Sequence, residues 1–460
     1  MRHCVNIMWP SDSRLKGNFA GYVAIWTLAV TLLLSMSGCS VYRNYSEARF
    51  WKRILQETDT CAVLGKGFTG LVVQDAVSGR TIFSHNGDKN FTPASNVKIL
   101  TLYSCIKTLV DSIPSFRYQV ADSFLYLWPM ADPTLMHPYF EQRNLLDRIK
   151  SIAGERTIRV SMAHGSQPHY GRGWMWDDYL DDYQPEITAL PIYGNVVQFR
   201  YNDNQWSAVP QEMLDSSRVS DVHKYVWRSR HRNDFHLPAT PDTSEVNFWE
   251  IPASTSAQSN LNLFENKLGR KVEQVSVPVG KGASTLFSMS ADTVYRRMMQ
   301  QSDNMLAEHL LLLCGMVTGD SLSTSFAIDT VKKAWLTGMP GNIKWVDGSG
   351  LSRYNQTTPD QMIWLLSQLW REVPRDVLLS CMDSGKRRNG TLRHLFSSGN
   401  EMELFAKTGS MQGVYNLSGY LKTKKRRLLI FSIMNNNFQG PVSGARRATN
   451  KILTKIGDQF

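Results

Sequence analysis

Apolar and polar positions follow two different periods along this chain, and the period changes where the architecture is expected to change. Residues 68–85, FTGLVVQDAVSGRTIFSH, alternate and bend at Ser78-Gly79, which predicts a β-hairpin. Residues 95–110, SNVKILTLYSCIKTLV, carry a helical repeat, with Pro93-Ala94 just before it. From 119 to 285 the texture differs: aspartate, proline, tryptophan and histidine are scattered among short strand-like runs, which predicts inserted material of β-rich or mixed character. The helical pattern returns from Ser288, through SADTVYRRMMQQSDNMLAEHLLLLCG. Two closing strands, 414–421 and 428–436, lead into a basic helix over 442–456. There is no internal repeat and no low-complexity tract. This order predicts a split α/β domain, 39–112 and 288–460, around an insertion at 113–287.

One long apolar run stands outside this pattern. Phe19 to Leu34, FAGYVAIWTLAVTLLL, follows Arg14 and Lys16 and precedes SMSGCS. A basic region, an apolar region and small residues in that order read as an export signal over residues 1–38. Met36-Ser37-Gly38-Cys39 fits the bacterial lipoprotein pattern, in which Cys39 takes a diacylglycerol thioether and becomes the mature N-terminus. An ordinary cleaved signal and an uncleaved helical anchor are the alternatives. The expectation is a periplasmic protein held to a membrane by lipid.

Composition narrows the class. Apolar residues at 42% and charged residues at 20% exclude a disordered, acidic or collagen-like chain, and the single long apolar run excludes a multi-pass membrane protein. Losing residues 1–38 removes three basic residues and one acid, so the net charge falls from +11 to +9. Export argues against nucleic acid as the partner and for an anionic cell envelope. The densest basic run, Lys422 to Arg427 (KTKKRR), lies between NLSGYL and LLIFSIM and reads as a solvated hairpin turn. Cys61, Cys105, Cys314 and Cys381 form no CxxC pair and no metal-ligand spacing. Cys105 and Cys314 sit in apolar helix-like runs and read as buried thiols, and no spacing selects a disulfide.

Three short strings carry candidate chemistry. Ser95-Asn96-Val97-Lys98 stands at a helix start, where a spacing of three places hydroxyl and amine on one face. A serine needs an adjacent base to become a nucleophile, and a lysine amine serves if burial and a nearby positive charge lower its pKa. The spacing alone is cheap, because Ser104/Lys107 and Ser13/Lys16 share it. Ser302-Asp303-Asn304 lies between helical stretches, with a serine to relay a proton and an asparagine to hold a substrate amide; Ser84-His85-Asn86 and Ser398-Gly399-Asn400 match its spacing too. Lys407-Thr408-Gly409 occurs once, just before a predicted strand. Its glycine lets substrate approach the backbone, its lysine brings positive charge near a substrate carboxylate, and the N–H groups of Ser410 and Ser95 are candidates for an oxyanion hole. SxxK, SxN and KTG in this order and these contexts form the motif set of penicillin-binding proteins and class A β-lactamases.

At these residues the chain resembles the class C low-molecular-mass penicillin-binding proteins, the serine D-alanyl-D-alanine carboxypeptidases and endopeptidases. PASNVKILT at 93–101, GWMWDD at 173–178, VDGSGLSRYN at 346–355 and FAKTGSMQGVYNLSGY at 405–420 extend the resemblance from about residue 68 to the C-terminus. A class A β-lactamase would be much shorter and would carry an acidic deacylation motif between the first and third strings. The roughly 200 residues between Ser95 and Ser302 instead match the inserted domains of the resembled family. Two stretches depart from it: HGSQPHYGRG at 164–173 lacks the acidic lead-in, and WPMADPTL at 128–135 lacks the preceding glycines.

The resemblance implies a β-lactamase/transpeptidase-like fold, an antiparallel sheet flanked by helices and interrupted by the insertion. It implies Ser95 as acylated nucleophile, Lys98 as base, and Ser302, Asn304 and Lys407 as partners, with Thr408, Gly409 and Ser410 lining the substrate. It also matches Asp178, Tyr183, Arg353 and Gln412 to positions that bind the side chain of the penultimate cross-link residue. An aspartate and an arginine in one cleft suit a zwitterionic D-centre, hence peptidoglycan of the meso-diaminopimelate type. The function implied is serine D-Ala-D-Ala carboxypeptidase or endopeptidase, with β-lactams as inhibitors and no metal or nucleotide cofactor. His137, His164 and His169 read as loop histidines. A β-lactamase or esterase using the same serine, or a catalytically silent wall-binding lipoprotein, are the competing functions.

Overall fold

The computed structural model describes residues 46–141, 144–162, 167–244, 246–387, 390–393 and 401–460. Cys39 and its lipoprotein pattern, His164, and Ser398-Gly399-Asn400 lie outside the described residues. A helix over residues 46–59 belongs to the first of two units, Met1–Thr60. The second unit, Cys61–Phe460, carries all three motifs.

The hairpin and closing strands assemble into one antiparallel six-stranded sheet. Its order is Asp383–Ser384, Glu403–Met411, Val414–Lys422, Leu428–Asn436, Phe68–Asp75 and Thr81–His85. The two strands at its centre are almost wholly buried, which explains their near-continuous apolar runs. Alternation sends Tyr420 to one face and Tyr415 to the other. Tyr420 joins the main core with the helices Val97–Thr108, Asn304–Gly319 and Pro359–Glu372, while Tyr415 packs with Ala445 of the C-terminal helix Val442–Gln459. Val97 through Cys105 are all buried, so the helix after the first motif runs through the middle of the core.

The chain leaves and re-enters this body side by side. Ser112–Ala121, directly after the central helix, pairs antiparallel with Ser284–Ser290, directly before helix Ala291–Gln300. These strands belong to a five-stranded sheet completed by Phe124–Pro129, Thr157–Ser161 and Val272–Val275, and two of its pairings are parallel. Helices Leu145–Ala153 and Ala257–Leu268 close a core around Phe116, Leu127, Ile149 and Phe264. A smaller β-region, built on Val196–Asn202, Gln205–Val209 and Phe248–Pro252, packs around Phe199 and Phe235. The parallel pairs were not legible in the sequence, since short strand runs do not disclose their partners.

Local features follow the expected chemistry, with one shift. KTKKRR forms the turn between the last two strands, where Arg427 pairs with Asp75 at 2.7 Å and Lys424 with Asp458 at 2.7 Å. The four described cysteines are free thiols, and the buried Cys105 and Cys314 sulfurs lie 3.8 Å apart. Lys407-Thr408-Gly409 does not precede a strand; it lies inside Glu403–Met411, which pairs along its length with Val414–Lys422.

Two glycines set how closely other segments approach the short 3-10 turn Ala94–Asn96 that leads into the central helix. A Cβ on Gly409 would stand 2.9 Å from the Asn96 nitrogen, so only glycine lets the strand lie against the turn. Gly350 has φ +86°, and its Cβ would overlap the Ala94 carbonyl. Gly79 also has positive φ, +70°, but nothing lies within 4 Å of its Cβ position. Gly79→Ala should therefore lose about 1–2 kcal/mol from backbone strain alone. Gly350→Ala should lose about 1–3 kcal/mol more from overlap. Urea denaturation of both variants measures the difference, and equal losses would refute the close contact.

Candidate active site

The first and second strings meet through the Lys98 amine. Ser95 stands in the 3-10 turn and Lys98 one turn into the helix, and the lysine Nζ donates to Ser95 Oγ at 3.1 Å. The same nitrogen donates to Asn304 Oδ1 and, at 2.8 Å, to the Ser349 carbonyl. Lys98 is 0% exposed. Burial pulls its amine down to about 8, against the opposing charges of Glu308, Asp347 and Asp303.

The second and third strings meet through Lys407. Its Nζ donates to Ser302 Oγ at 2.9 Å and to the Thr408 carbonyl at 2.8 Å. It too is fully buried, and burial followed by the charge of Lys98 pulls its amine well below the ordinary lysine range. Both serines thus touch a buried amine of lowered pKa. Two non-glycine residues of this cluster hold left-handed backbone, Ala94 at φ 47° and Ser302 at φ 60°. Strain of this kind collects where a side chain must be held in one pose.

Buried asparagines lock the turn onto the sheet. Asn96 Nδ2 donates to the Lys407 carbonyl at 3.0 Å, and Asn416 Nδ2 to the Thr92 carbonyl at 2.9 Å. The Thr92 N–H donates to Asn436 Oδ1 at 2.7 Å, and Asn436 Nδ2 reaches Asn416 Oδ1 at 3.2 Å. Sequence reasoning missed these residues, although a polar residue within an apolar strand run was the available signal.

A second buried hub was missed as well. Glu308, inside the apolar run LAEHLLLL, accepts the N–H groups of Gly348 at 3.0 Å and Ser349 at 2.7 Å. Burial first, and the charge of Asp347 next, push its carboxyl up to about 8. Asp347 accepts from Gly350 N at 2.9 Å, Ser352 N at 2.6 Å, Asn355 Nδ2 at 2.8 Å and Trp174 Nε1 at 3.0 Å. The VDGSGLSRYN loop is therefore pinned from inside by carboxylates, and the GWMWDD stretch of the insertion docks on it through Trp174.

The four residues matched to side-chain recognition line this docked edge. Arg353 is exposed and its Nη2 donates to the backbone carbonyl of Gln412 at 3.3 Å, so Gln412 meets it through its main chain. Asp178 is partly buried, and burial raises its pKa despite the hydrogen bond from Tyr183 and the positive charge of Arg353. Tyr183 donates from its hydroxyl to Asp181 at 3.0 Å, and its backbone carbonyl accepts from Asn304 Nδ2 at 2.8 Å. That last bond ties the insertion to the second string.

The look-alike strings lead elsewhere. Ser104 is buried with its Oγ spent on the Leu100 carbonyl at 2.7 Å, and Lys107 pairs with Glu372 at 2.9 Å. Asn86 donates to the Thr69 carbonyl at 2.8 Å. His137 is buried among Tyr139 and Phe140, and His169 pairs with Glu186 at 2.7 Å. Among the described residues no group of three or more histidines, cysteines or acids is placed to hold a metal ion.

A serine and a lysine one turn apart, a second serine on a second buried lysine, and an antiparallel sheet edge beside them define an acyl-serine enzyme of the penicillin-interacting type. The chain belongs to the D-Ala-D-Ala carboxypeptidase 3 (S13) family, whose profile matches residues 54–455. It is 25% identical over 430 residues to the D-alanyl-D-alanine carboxypeptidase of Actinomadura sp. (strain R39), covering 81% of this chain and 78% of the relative. It is 27% identical over 421 residues to the D-alanyl-D-alanine carboxypeptidase DacB of Haemophilus influenzae, covering 80% and 85%. The crystal structure of penicillin binding protein 4 (dacB) from Haemophilus influenzae shares the fold, with a TM-score of 0.67 at 20% identity over 88% of this chain and 98% of that one.

The Glu308 hub makes a separable prediction. Glu308→Ala leaves two buried N–H groups without acceptors and should lower stability by about 2–5 kcal/mol. Glu308→Gln keeps one acceptor oxygen and should lose less. Urea denaturation reads both, and equal losses would mean that the carboxylate's hydrogen bonds carry none of the effect.

Proposed function

We propose that this chain is a serine D-Ala-D-Ala carboxypeptidase or endopeptidase of peptidoglycan, working through an acyl-serine intermediate on Ser95. The family supports the activity, and one observation carries the assignment of the residues: each of two serines in the cleft, Ser95 and Ser302, bonds to its own buried lysine.

In this reading neutral Lys98 takes the Ser95 proton as Oγ attacks the carbonyl carbon of the penultimate D-alanine. The carbonyl π-pair moves to oxygen, which the N–H groups of Ser95 and Ser410 receive. Collapse breaks the C–N bond, and Ser302, backed by Lys407, passes its proton to the leaving amine and takes up in its place the proton held by Lys98, which returns Lys98 to the neutral form. Water then attacks the ester while Lys98 takes its proton, and as the C–O bond to Ser95 breaks Lys98 hands that proton to Ser95 Oγ, releasing the acid and restoring both groups. Asn304 orients both the Lys98 amine and the substrate amide. Thr408, Gly409 and Ser410 present the strand edge along which the peptide lies. A β-lactam has the same acyl group with a tethered leaving amine, so its ester should persist.

Asp178 and Arg353 are assigned to the ammonium and carboxylate of a diaminopimelate D-centre, with Tyr183 and Gln412 bordering it. The partial burial of Asp178 and the exposed guanidinium of Arg353 support that pairing. The leader pattern supports a periplasmic lipoprotein acylated at Cys39 after removal of residues 1–38.

Intact-mass spectrometry of residues 40–460 with benzylpenicillin should show one penicilloyl group per chain, on the peptide holding Ser95. Ser95→Ala should abolish it and Ser104→Ala should retain it; the reverse result would assign the nucleophile to Ser104. The base is active when neutral, so the rate of adduct formation should rise with pH from 6, with an apparent pKa near 8 set by Lys98. A flat profile between about pH 6 and 9 would exclude Lys98 as the base. For the side-chain site, Arg353→Ala should cut kcat/KM for diaminopimelate peptides about 10- to 100-fold, the worth of one charge-assisted pair. Lysine-containing peptides lack the D-centre carboxylate and should be little affected; equal losses on both would remove Arg353 from recognition.

A further inference from the structure

Four cysteines lie among the described residues, and the acyl-serine chemistry uses none of them. The six-stranded sheet divides them. Cys61 packs with Leu64, Tyr415 and Phe438, on the face that meets the C-terminal helix. Cys105, Cys314 and Cys381 belong to the main core on the opposite face, with Tyr420. The sheet therefore stands between Cys61 and the other three.

Within the main core Cys105 and Cys314 meet. Cys105 stands on the helix Val97–Thr108, about two turns past Lys98, and Cys314 on the helix Asn304–Gly319, about three turns past Asn304. Their sulfurs are 3.8 Å apart, and the Cys105 sulfur also lies 3.8 Å from the Leu310 carbonyl, so its side chain points at the second helix. A disulfide places its sulfurs at about 2.05 Å, a gap that rotation about the two Cα–Cβ bonds can close. The pair is 209 residues apart in sequence, and the stretch between holds the whole insertion. A bond here would join the two halves of the split domain behind the point where the chain leaves and re-enters. It would also tie the helix of Ser95 and Lys98 to the helix whose first residue, Asn304, accepts from the Lys98 amine. The entropy that a cross-link removes from the unfolded chain grows with the loop it closes, and this loop is long.

We infer that Cys105 and Cys314 form a disulfide when the chain folds in an oxidising compartment, and that this bond staples the nucleophile helix to the helix of the second motif across the insertion. The oxidising compartment rests on the export reading above; the pairing is independent of the acyl-serine reading. The co-reactant is a dithiol–disulfide oxidase. One cysteine thiolate attacks the oxidase disulfide, forming a mixed disulfide and expelling one oxidase thiolate. The other cysteine thiolate attacks the sulfur of the first and expels the second oxidase thiolate. Both cysteine protons end on the oxidase thiols, and two electrons pass to it. Cys105 and Cys314 are 0% and 1% exposed, and burial pushes the Cys105 thiol well above its ordinary range. Exchange therefore belongs to the stage before the core closes, and the finished bond is shielded from reductant afterwards.

The test directs residues 40–460 to a bacterial periplasm behind a cleavable signal, so that the oxidant is present whatever this chain's own leader does, and purifies the protein without reductant. Its intact mass should fall two hydrogens below the all-thiol value. Alkylation in denaturant should mark Cys61 and Cys381 alone, and an unreduced digest should hold the Cys105 and Cys314 peptides joined. Four alkylated cysteines, or a bond made by Cys61 or Cys381, would overturn the inference. Cys105→Ala should return Cys314 to the alkylated set. The staple itself is read in urea: reductant should lower the unfolding midpoint of the wild type and leave that of the Cys105→Ala/Cys314→Ala double variant unchanged. A wild-type midpoint indifferent to reductant would overturn the stapling role. Penicilloyl labelling of the same sample reports on the acyl-serine reading separately, so either can fail while the other stands.

Discussion

Two ammonium groups cannot share a buried cleft at full charge, and the centre of this structure is arranged around that constraint. Lys98 and Lys407 are both removed from water, each touches a serine hydroxyl, and the charge of Lys98 disfavours the protonated form of Lys407. Desolvation alone would make such amines hard to keep. Asn304, the Ser349 and Thr408 carbonyls and the two serines give them the hydrogen bonds that burial demands. Charge on the more distant carboxyl groups of Glu308 and Asp347 favours the ammonium form and keeps the pKa of Lys98 from falling further than burial alone would take it.

Keeping those bonds requires backbone that comes unusually close. The turn bearing Ser95 is pressed by the strand at Gly409 and by the loop at Gly350. It is held in place by three buried side-chain amides: Asn96 of the turn itself, and Asn416 and Asn436, which stand in strands where a sheet ordinarily has apolar residues. Behind the loop, Glu308 and Asp347 supply acceptors for backbone N–H groups that have no strand partner. The same carboxylates therefore shape the loop and set the field felt by Lys98, which couples stability to the chemistry of the amine.

The insertion is joined to this centre at few but specific points. Trp174 donates to Asp347, the Ser352 hydroxyl donates to the Arg172 carbonyl at 2.7 Å, and Asn304 donates to the Tyr183 carbonyl. Each contact links a residue of the insertion to a residue of the cleft or its loop. The edge that carries Asp178 and Tyr183 is thereby set in register with Arg353.

Much of this was legible in the sequence because it depends on short-range pattern. The hairpin, the apolar central helix, the closing strands and the basic turn follow from periodicity and turn residues, and the order of SxxK, SxN and KTG narrowed the chemistry to one class. What the pattern could not do was choose between Ser95/Lys98 and Ser104/Lys107, which share a spacing on one helix. The resemblance at PASNVKILT selected the first pair, and packing gives the physical reason: that pair points into the cleft, while Ser104 closes on its own helix and Lys107 reaches Glu372 at the surface. Nor could it find Glu308 or the three asparagines, whose partners lie tens to hundreds of residues away. Spacing along the chain reports which side chains share a face. Burial and the lowered pKa values come from segments that meet only when the sheet and helices close, and that is a property of the tertiary structure alone.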